Sequence, residues 1–224
     1  MKELHPNDGL RIFDIKWRVK TAGPSPNNNE RIEVFLLGCE KAINGNPCEG
    51  CFNSITWDKS IAEFSRDPIE LADTINKTAN DVNTPKYITI GGGEPTDQID
   101  KLIPFIKRLK EHGFHIIMYT WRDLKESLKI NSPLQNKLKE AIKYLDIIID
   151  GEFKKDEVLL DFKSKNNACH FVGSGNQVIW NLDTPIQYGY PLKAIDDIKL
   201  EENELSIKLK SNNISELKLI DKED

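Results

Sequence analysis

Short apolar runs recur along the chain, and the stretches between them carry apolar residues every three or four positions. Ile32 to Leu37, Tyr87 to Ile90, His115 to Tyr119 and Leu145 to Ile149 are the short runs, and each reads as a buried strand. The intervening stretches read as helices. Asp67 precedes Pro68 with Glu70 three positions after it, a capped start, and Ile69, Ala72 and Ile75 carry the helix to about Thr78. Ile99 to His112 is helical in pattern and stops at Gly113, while Pro104 inside it predicts a kink or a late start. Ser132 is placed to cap a helix over Pro133 to Tyr144, and the strand after it ends at Asp150-Gly151.

The alternation of strand and helix predicts an α/β fold with a parallel sheet and covering helices. The polar and glycine-rich segments fall after strand ends, which gathers them on one rim, where open sheets and barrels of this kind bind ligands. The C-terminal pattern is different. From Ile195 to Lys208 apolar residues alternate with charged ones around Glu202-Asn203, as in an antiparallel hairpin, so residues 193–224 read as a small β appendage to a domain of residues 1–192.

A chain of 224 residues, 38% hydrophobic and 30% charged, fits one substantial globular domain. The net charge of -5 disfavours a nucleic-acid surface, which needs clustered Lys and Arg. No uncharged apolar run is long enough for a membrane span and Met1 to Gly9 is polar, so the expected location is the cytoplasm. Pro24 to Asn29 is a short polar loop, and no repeat is visible.

Candidate chemistry begins with Cys39, Cys48 and Cys51, which follow the first apolar run directly. Their clustering favours ligation over disulfides. The Cys-x8-Cys-x2-Cys spacing suits an iron–sulfur cluster, in which three thiolates leave one iron of a four-iron cube open to another ligand. It also suits half of a zinc site, completed by Cys169 or His170. A second signal is Gly91-Gly92-Gly93-Glu94-Pro95 at the end of the next strand. The glycines form a tight turn or a shelf on which a ligand meets the backbone. Glu94 is either an acceptor for a ligand ammonium group or an acid at a helix entry. Asp150-Gly151 suits a plain turn at a strand end, and Asn176-Gln177 a cap or a bridge between loops. Trp57 and Trp121 read as core or rim aromatics, and Cys169 as a lone buried or free thiol.

Gly38-Cys39, the Cys48 to Asn53 segment with Thr56-Trp57, and the Gly91 to Pro95 run together resemble the radical S-adenosylmethionine enzymes. More narrowly, with Asp146 to Phe153, Gly173 to Ile179, and Gly23-Pro24 followed by Arg31, they resemble the activating proteins of anaerobic ribonucleoside-triphosphate reductases. That resemblance implies a partial (βα) barrel of the radical S-adenosylmethionine type. It implies that Cys39, Cys48 and Cys51 bind three irons of a [4Fe-4S] cluster and that S-adenosyl-L-methionine chelates the fourth through its amino and carboxylate groups. Glu94 with Gly91, Gly92 and Gly93 would hold the amino group, and Asp150 and Asn176 would contact cofactor or partner. The implied reaction is reductive cleavage of S-adenosylmethionine to make a glycyl radical on the reductase large subunit, with an electron donor such as flavodoxin or ferredoxin.

The chain departs from the family in one respect. The family has three residues between its first two cysteines and this chain has eight, Glu40 to Pro47. Longer spacings occur in 7-carboxy-7-deazaguanine synthases, so an enzyme of that kind is the alternative, and a non-catalytic zinc module is a further one. Gly50 and Phe52-Asn53 around the last cysteine resemble the activators rather than the synthases, which carry an aromatic residue before that cysteine and Asp-Thr after it.

Overall fold

In the computed structural model, the described residues are 3–20, 23, 30–62, 65–129, 132–158, 172–182, 193–201 and 204–210. Cys169, His170 and the expected turn at Glu202-Asn203 lie outside them. In chain order the strands are β1 (Glu3–Leu4), β2 (Ile12–Val19), β3 (Arg31–Leu36), β4 (Ser65–Arg66), β5 (Tyr87–Gly92), β6 (His115–Tyr119), β7 (Ile147–Asp150), β8 (Val178–Asn181), β9 (Lys193–Glu201) and β10 (Glu204–Lys210). The helices are α1 (Glu40–Ile43), α2 (Pro68–Asp81), α3 (Ile99–Glu111), α4 (Leu124–Ser127) and α5 (Gln135–Ile142), with short 3-10 turns such as Pro95–Gln98 between them.

One mixed sheet runs in the order β10-β9-β8-β7-β6-β5-β3-β2, and β1 pairs with β4 apart from it. Its centre is parallel. Ile32 lies opposite Ile88, Ile90 opposite Met118, and Tyr119 opposite Ile149. The flanks turn antiparallel: β2 against β3 and β8 against β7, while β9 joins β8 in parallel and pairs with β10 antiparallel.

Parallel strands are covered on both faces, which is why their sequences are nearly continuous in apolar residues. Alternate side chains of β3, β5 and β6, namely Ile32, Val34, Leu36, Ile88, Ile90, Ile116 and Met118, meet the apolar stripes of α2 and α3 in the main core. Leu71 and Ile75 of α2 and Leu102, Phe105 and Ile106 of α3 are fully or almost fully buried there. The opposite face is smaller and partly polar. It holds Ile117, Ile147 and Ile149 with Tyr119 and Ile179. Arg31 is also fully buried, and its Nε donates to Thr89 Oγ1 at 2.8 Å.

The expected start of α2 is realised, since Asp67 Oδ1 accepts from the backbone of Ile69 and Glu70 at 2.9 Å each; the helix runs past Thr78 to Asp81. Strand β5 continues beyond Ile90 into the glycine run, because Gly91 and Gly92 keep the β3 register opposite Phe35 and Leu36. Helix α3 passes through Pro104 from a start at Ile99, so the late start is not seen. The helix expected over Pro133 to Tyr144 is shorter. Ser132 O accepts from Gln135 N at 3.0 Å in a turn, and at the other end Tyr144 N bonds Ala141 O in a tightened i to i+3 exit. Strand β7 is displaced by the same turn, beginning at Ile147 and including Asp150.

Candidate active site at the carboxyl ends of the parallel strands

The first cysteine is placed by backbone contacts between β3 and β5. Gly93 N donates to Leu36 O at 2.8 Å and Glu94 N to Gly38 O at 2.7 Å, laying the glycine run against the chain leading into Cys39. Such contact excludes side chains. A Cβ on Gly92, whose φ is +98°, would sit 2.5 Å from Leu36 N, and one on Gly93 would overlap the Gly38 carbonyl.

The eight residues between Cys39 and Cys48 close by folding on themselves. Ile43 N bonds Cys39 O and Asn44 N bonds Glu40 O, each at 2.9 Å, making the single turn of α1; Cys51 N then bonds Cys48 O at 3.2 Å. The chain beyond the third cysteine returns to the first, since Gly38 N donates to Thr56 O at 2.8 Å and Cys39 N to Trp57 O at 3.0 Å. A long spacing thus still delivers all three thiols to one place.

That place is a cavity of about 220 Å³ lined by Cys39, Cys48 and Cys51, by Gly91, Gly92 and Gly93, and by Trp57, Trp121, Phe153 and Gln177, among others. All three cysteines are free, with Cys39 buried and the other two half-buried. Burial pushes the Cys39 thiol up to about 11, with an Ala42 backbone donor opposing and the charges of Glu94, Asp97 and Cys48 adding to it. Cys48 is raised by the same primary cause. Thiols so placed give up their protons to a metal, and cluster assembly couples to proton release. Among the described residues, no three His, Cys, Asp or Glu side chains gather closely enough to enclose a single metal ion. Three thiols spread around a cavity beside a bare glycine shelf fit a body with several irons and an organic ligand next to it.

Glu94 is fully buried, one layer behind the wall. Its Oε1 accepts from Thr96 N at 3.0 Å, Thr96 Oγ1 at 2.6 Å and Thr120 Oγ1 at 2.8 Å, while Oε2 accepts from Trp121 N at 3.0 Å. It therefore caps the Pro95–Gln98 turn and ties the exit of β6 to that of β5. Burial raises its pKa above the ordinary range, with the Thr96 hydroxyl the largest opposing influence. Among the described residues, Oε2 has one donor and Oε1 three.

Asp150 and Asn176 stand apart from the cysteines. They line a neighbouring cavity of about 440 Å³ with Lys125, Lys154 and Trp180, and Trp121 and Gly151 border both cavities. Asp150 Oδ2 accepts from Leu124 N at 2.7 Å at the start of α4. Asn176 Nδ2 donates to Glu152 O at 2.8 Å, and Gln177 Nε2 to Gly151 O at 2.9 Å, bridging the loops after β7 and before β8. Trp57 and Trp121 are both on the cavity wall, in the rim position that was one of the two expected for them.

A network that no sequence motif marks holds the cysteine loop. Asp97 Oδ2 accepts from Glu40 N, directly after Cys39, at 2.6 Å, and its Oδ1 accepts from Arg122 Nη2 at 2.6 Å. Arg122 Nε also donates to Thr96 Oγ1 at 2.8 Å, and its guanidinium lies 4.5 Å from the Trp121 ring. Asp97 follows Glu94 by one helical turn, a spacing that signals a structural acid here, whereas nothing local marks Arg122.

Gly93→Ala tests the close approach. The added methyl has only backbone to displace, so the substitution is expected to destabilise the protein by at least about 3 kcal/mol in denaturant titration. The iron content after anaerobic reconstitution should fall with it.

Comparison with known proteins agrees with this geometry. Residues 28–180 match the family described as 4Fe-4S single cluster domain. The chain is 28% identical over 160 residues to the anaerobic ribonucleoside-triphosphate reductase-activating protein of Enterobacteria phage T4, covering 67% of this chain and 83% of that protein. It is 27% identical over 154 residues to the pyruvate formate-lyase-activating enzyme of Streptococcus mutans serotype c, covering 65% of this chain and about half, 49%, of that enzyme. With three thiols and a glycine shelf around one cavity, the chain belongs to the 4Fe-4S single cluster domain family and is a radical S-adenosylmethionine enzyme of the activase type, with a [4Fe-4S] cluster and S-adenosyl-L-methionine as its cofactors.

Proposed function

We propose that this protein activates an anaerobic ribonucleoside-triphosphate reductase by placing a glycyl radical on its large subunit. The observation that carries this reading is the setting of the cysteine cavity. Phe52 is in its wall and yet 72% exposed, and Ile55, three positions on, is 66% exposed, an apolar surface that suits a protein partner. The hydrogen donor then comes from outside. The likeness to the phage T4 activating protein, over most of that protein's length, supports the same substrate.

In this reading Cys39, Cys48 and Cys51 hold three irons, and Gly91, Gly92 and Gly93 offer their backbone to the amino group of S-adenosylmethionine. Glu94 adds an acceptor through Oε2. Bound together, the cluster and S-adenosylmethionine supply an electron and a hydrogen-abstracting radical; the chain orients them and keeps water away. The aromatic wall does the latter, with Phe52 and Phe153 rings 4.9 Å apart closing one side. Asp150 and Asn176 act at one remove, fixing the loops that border the cavity. We take the central sheet and its helices as the partial (βα) barrel of a catalytic domain expected over residues 1–192, and the described strands β9 and β10, which continue that sheet, as part of the expected appendage. The same reading expects a cytoplasmic enzyme served by flavodoxin or ferredoxin; among the described residues no helix is long and apolar enough to cross a membrane.

Two measurements test this. Mixed anaerobically with the reductase large subunit of its own organism, S-adenosylmethionine and an electron source, the protein should give a doublet glycyl radical signal by electron paramagnetic resonance. Turnover of a small nucleotide-like substrate with no such signal would instead favour the deazaguanine synthase-like alternative. Glu94→Gln should keep its iron and weaken S-adenosylmethionine binding by about 1.5–3 kcal/mol in calorimetry, the worth of a charge-assisted hydrogen bond. Unchanged affinity would leave Glu94 with its capping role alone.

A further inference from the structure

The segment by which this chain departs from the family spacing buries a cation. Residues Ile43 to Pro47 are exposed, yet the Lys41 side chain is only 7% exposed. Its ammonium donates to Asn46 O at 2.6 Å, pairs with Glu152 Oε1 at 3.0 Å and lies 5.5 Å from the centre of the Trp121 ring. Glu152 directly follows Gly151 at the end of β7, and its own carbonyl is held by Asn176. A lysine is rarely buried to this degree unless paired. Both charges stand at the cysteine cavity: Trp121, on which Lys41 packs, and Gly151 and Phe153, on either side of Glu152, are in its wall together with Cys48.

Reduction adds one negative charge to an iron–sulfur cluster, so nearby fixed charges bias that step according to their sign. The Lys41 charge is sheltered from solvent, where screening is weak. We propose that Lys41 and Glu152 form a charge pair that poises the reduction potential of the cluster bound at Cys48, with Lys41 cancelling a carboxylate that otherwise disfavours the reduced form. Lys41 is thus a positioning residue. It acts through the charge it neutralises and touches no reacting atom. The inference concerns the cluster alone and is independent of which partner receives the radical.

The test is a redox titration of the anaerobically reconstituted protein, without S-adenosylmethionine, followed by electron paramagnetic resonance. In Lys41→Met the uncompensated Glu152 should lower the midpoint, cutting the ratio of reduced to oxidised cluster at a fixed potential on the order of tenfold, about 59 mV for one electron. Glu152→Gln should raise the midpoint, Lys41→Arg should leave it near that of the unaltered protein, and the double variant should return towards it. A purely mechanical latch gives another pattern, because breaking the pair from either side has the same consequence. Midpoints that shift in one direction for both single variants, or in neither, overturn the proposal. If Lys41→Met assembles no cluster, Glu152→Gln decides: a higher midpoint supports the charge pair, and an unchanged or lower one refutes it.

Discussion

The site rests on the contact between two stretches of backbone, Leu36 to Gly38 and Gly92 to Glu94. Parallel pairing of β3 with β5 carries both chains to the same height, and the hydrogen bonds from Gly93 to Leu36 and from Glu94 to Gly38 extend that pairing past the ends of the strands. The first cysteine comes next on one side and the glycine run is on the other. Any side chain at Gly92 or Gly93 would strike backbone, which has nowhere to move. Cysteine loop and glycine run are therefore one unit, and their separation is set by main-chain geometry.

A layer of buried polar groups stabilises that construction from behind. Glu94 joins the exits of β5 and β6, and Arg122 links Thr96 to Asp97, which in turn caps the chain at Glu40. Burial alone would make a carboxylate such as Glu94 unfavourable in its charged form; donors in fixed positions offset this, and in doing so they make the loops rigid. The cost of a buried charge is what couples the cysteine segment to the strands. Lys41 and Glu152 form a further charge pair at Trp121, where the Arg122 guanidinium also packs, and Lys41 belongs to a loop whose length is this chain's own.

Much of this was legible in the sequence because the informative residues are near one another in the chain. Buried parallel strands announce themselves as apolar runs, Asp67 with Pro68 and Glu70 marks a helix start, and three cysteines in thirteen positions imply ligation. The edge strand β2 was hidden. Ile12 to Val19 mixes charges with large apolar residues and pairs with β3 through two irregularities in register, so it shows no clean alternation. Helix α5 was overextended because Ser132 and Pro133 look like a cap and first turn, whereas the local turn Ser132 to Gln135 is satisfied before the helix begins. The pairing of Arg122 with Asp97 and of Lys41 with Glu152 could not be read, since each joins residues far apart in the chain and depends on where the strands end.

The central claim is that the three thiols and the glycine shelf enclose one cluster with one iron left for a ligand from S-adenosylmethionine. Mössbauer spectroscopy of protein anaerobically reconstituted with iron-57 reads this directly, by comparing spectra before and after S-adenosylmethionine is added. The account predicts that the signal of one iron in four shifts on addition while the other three remain as they were. Four irons that ignore S-adenosylmethionine, or protein that takes up zinc and assembles no cluster, would contradict it.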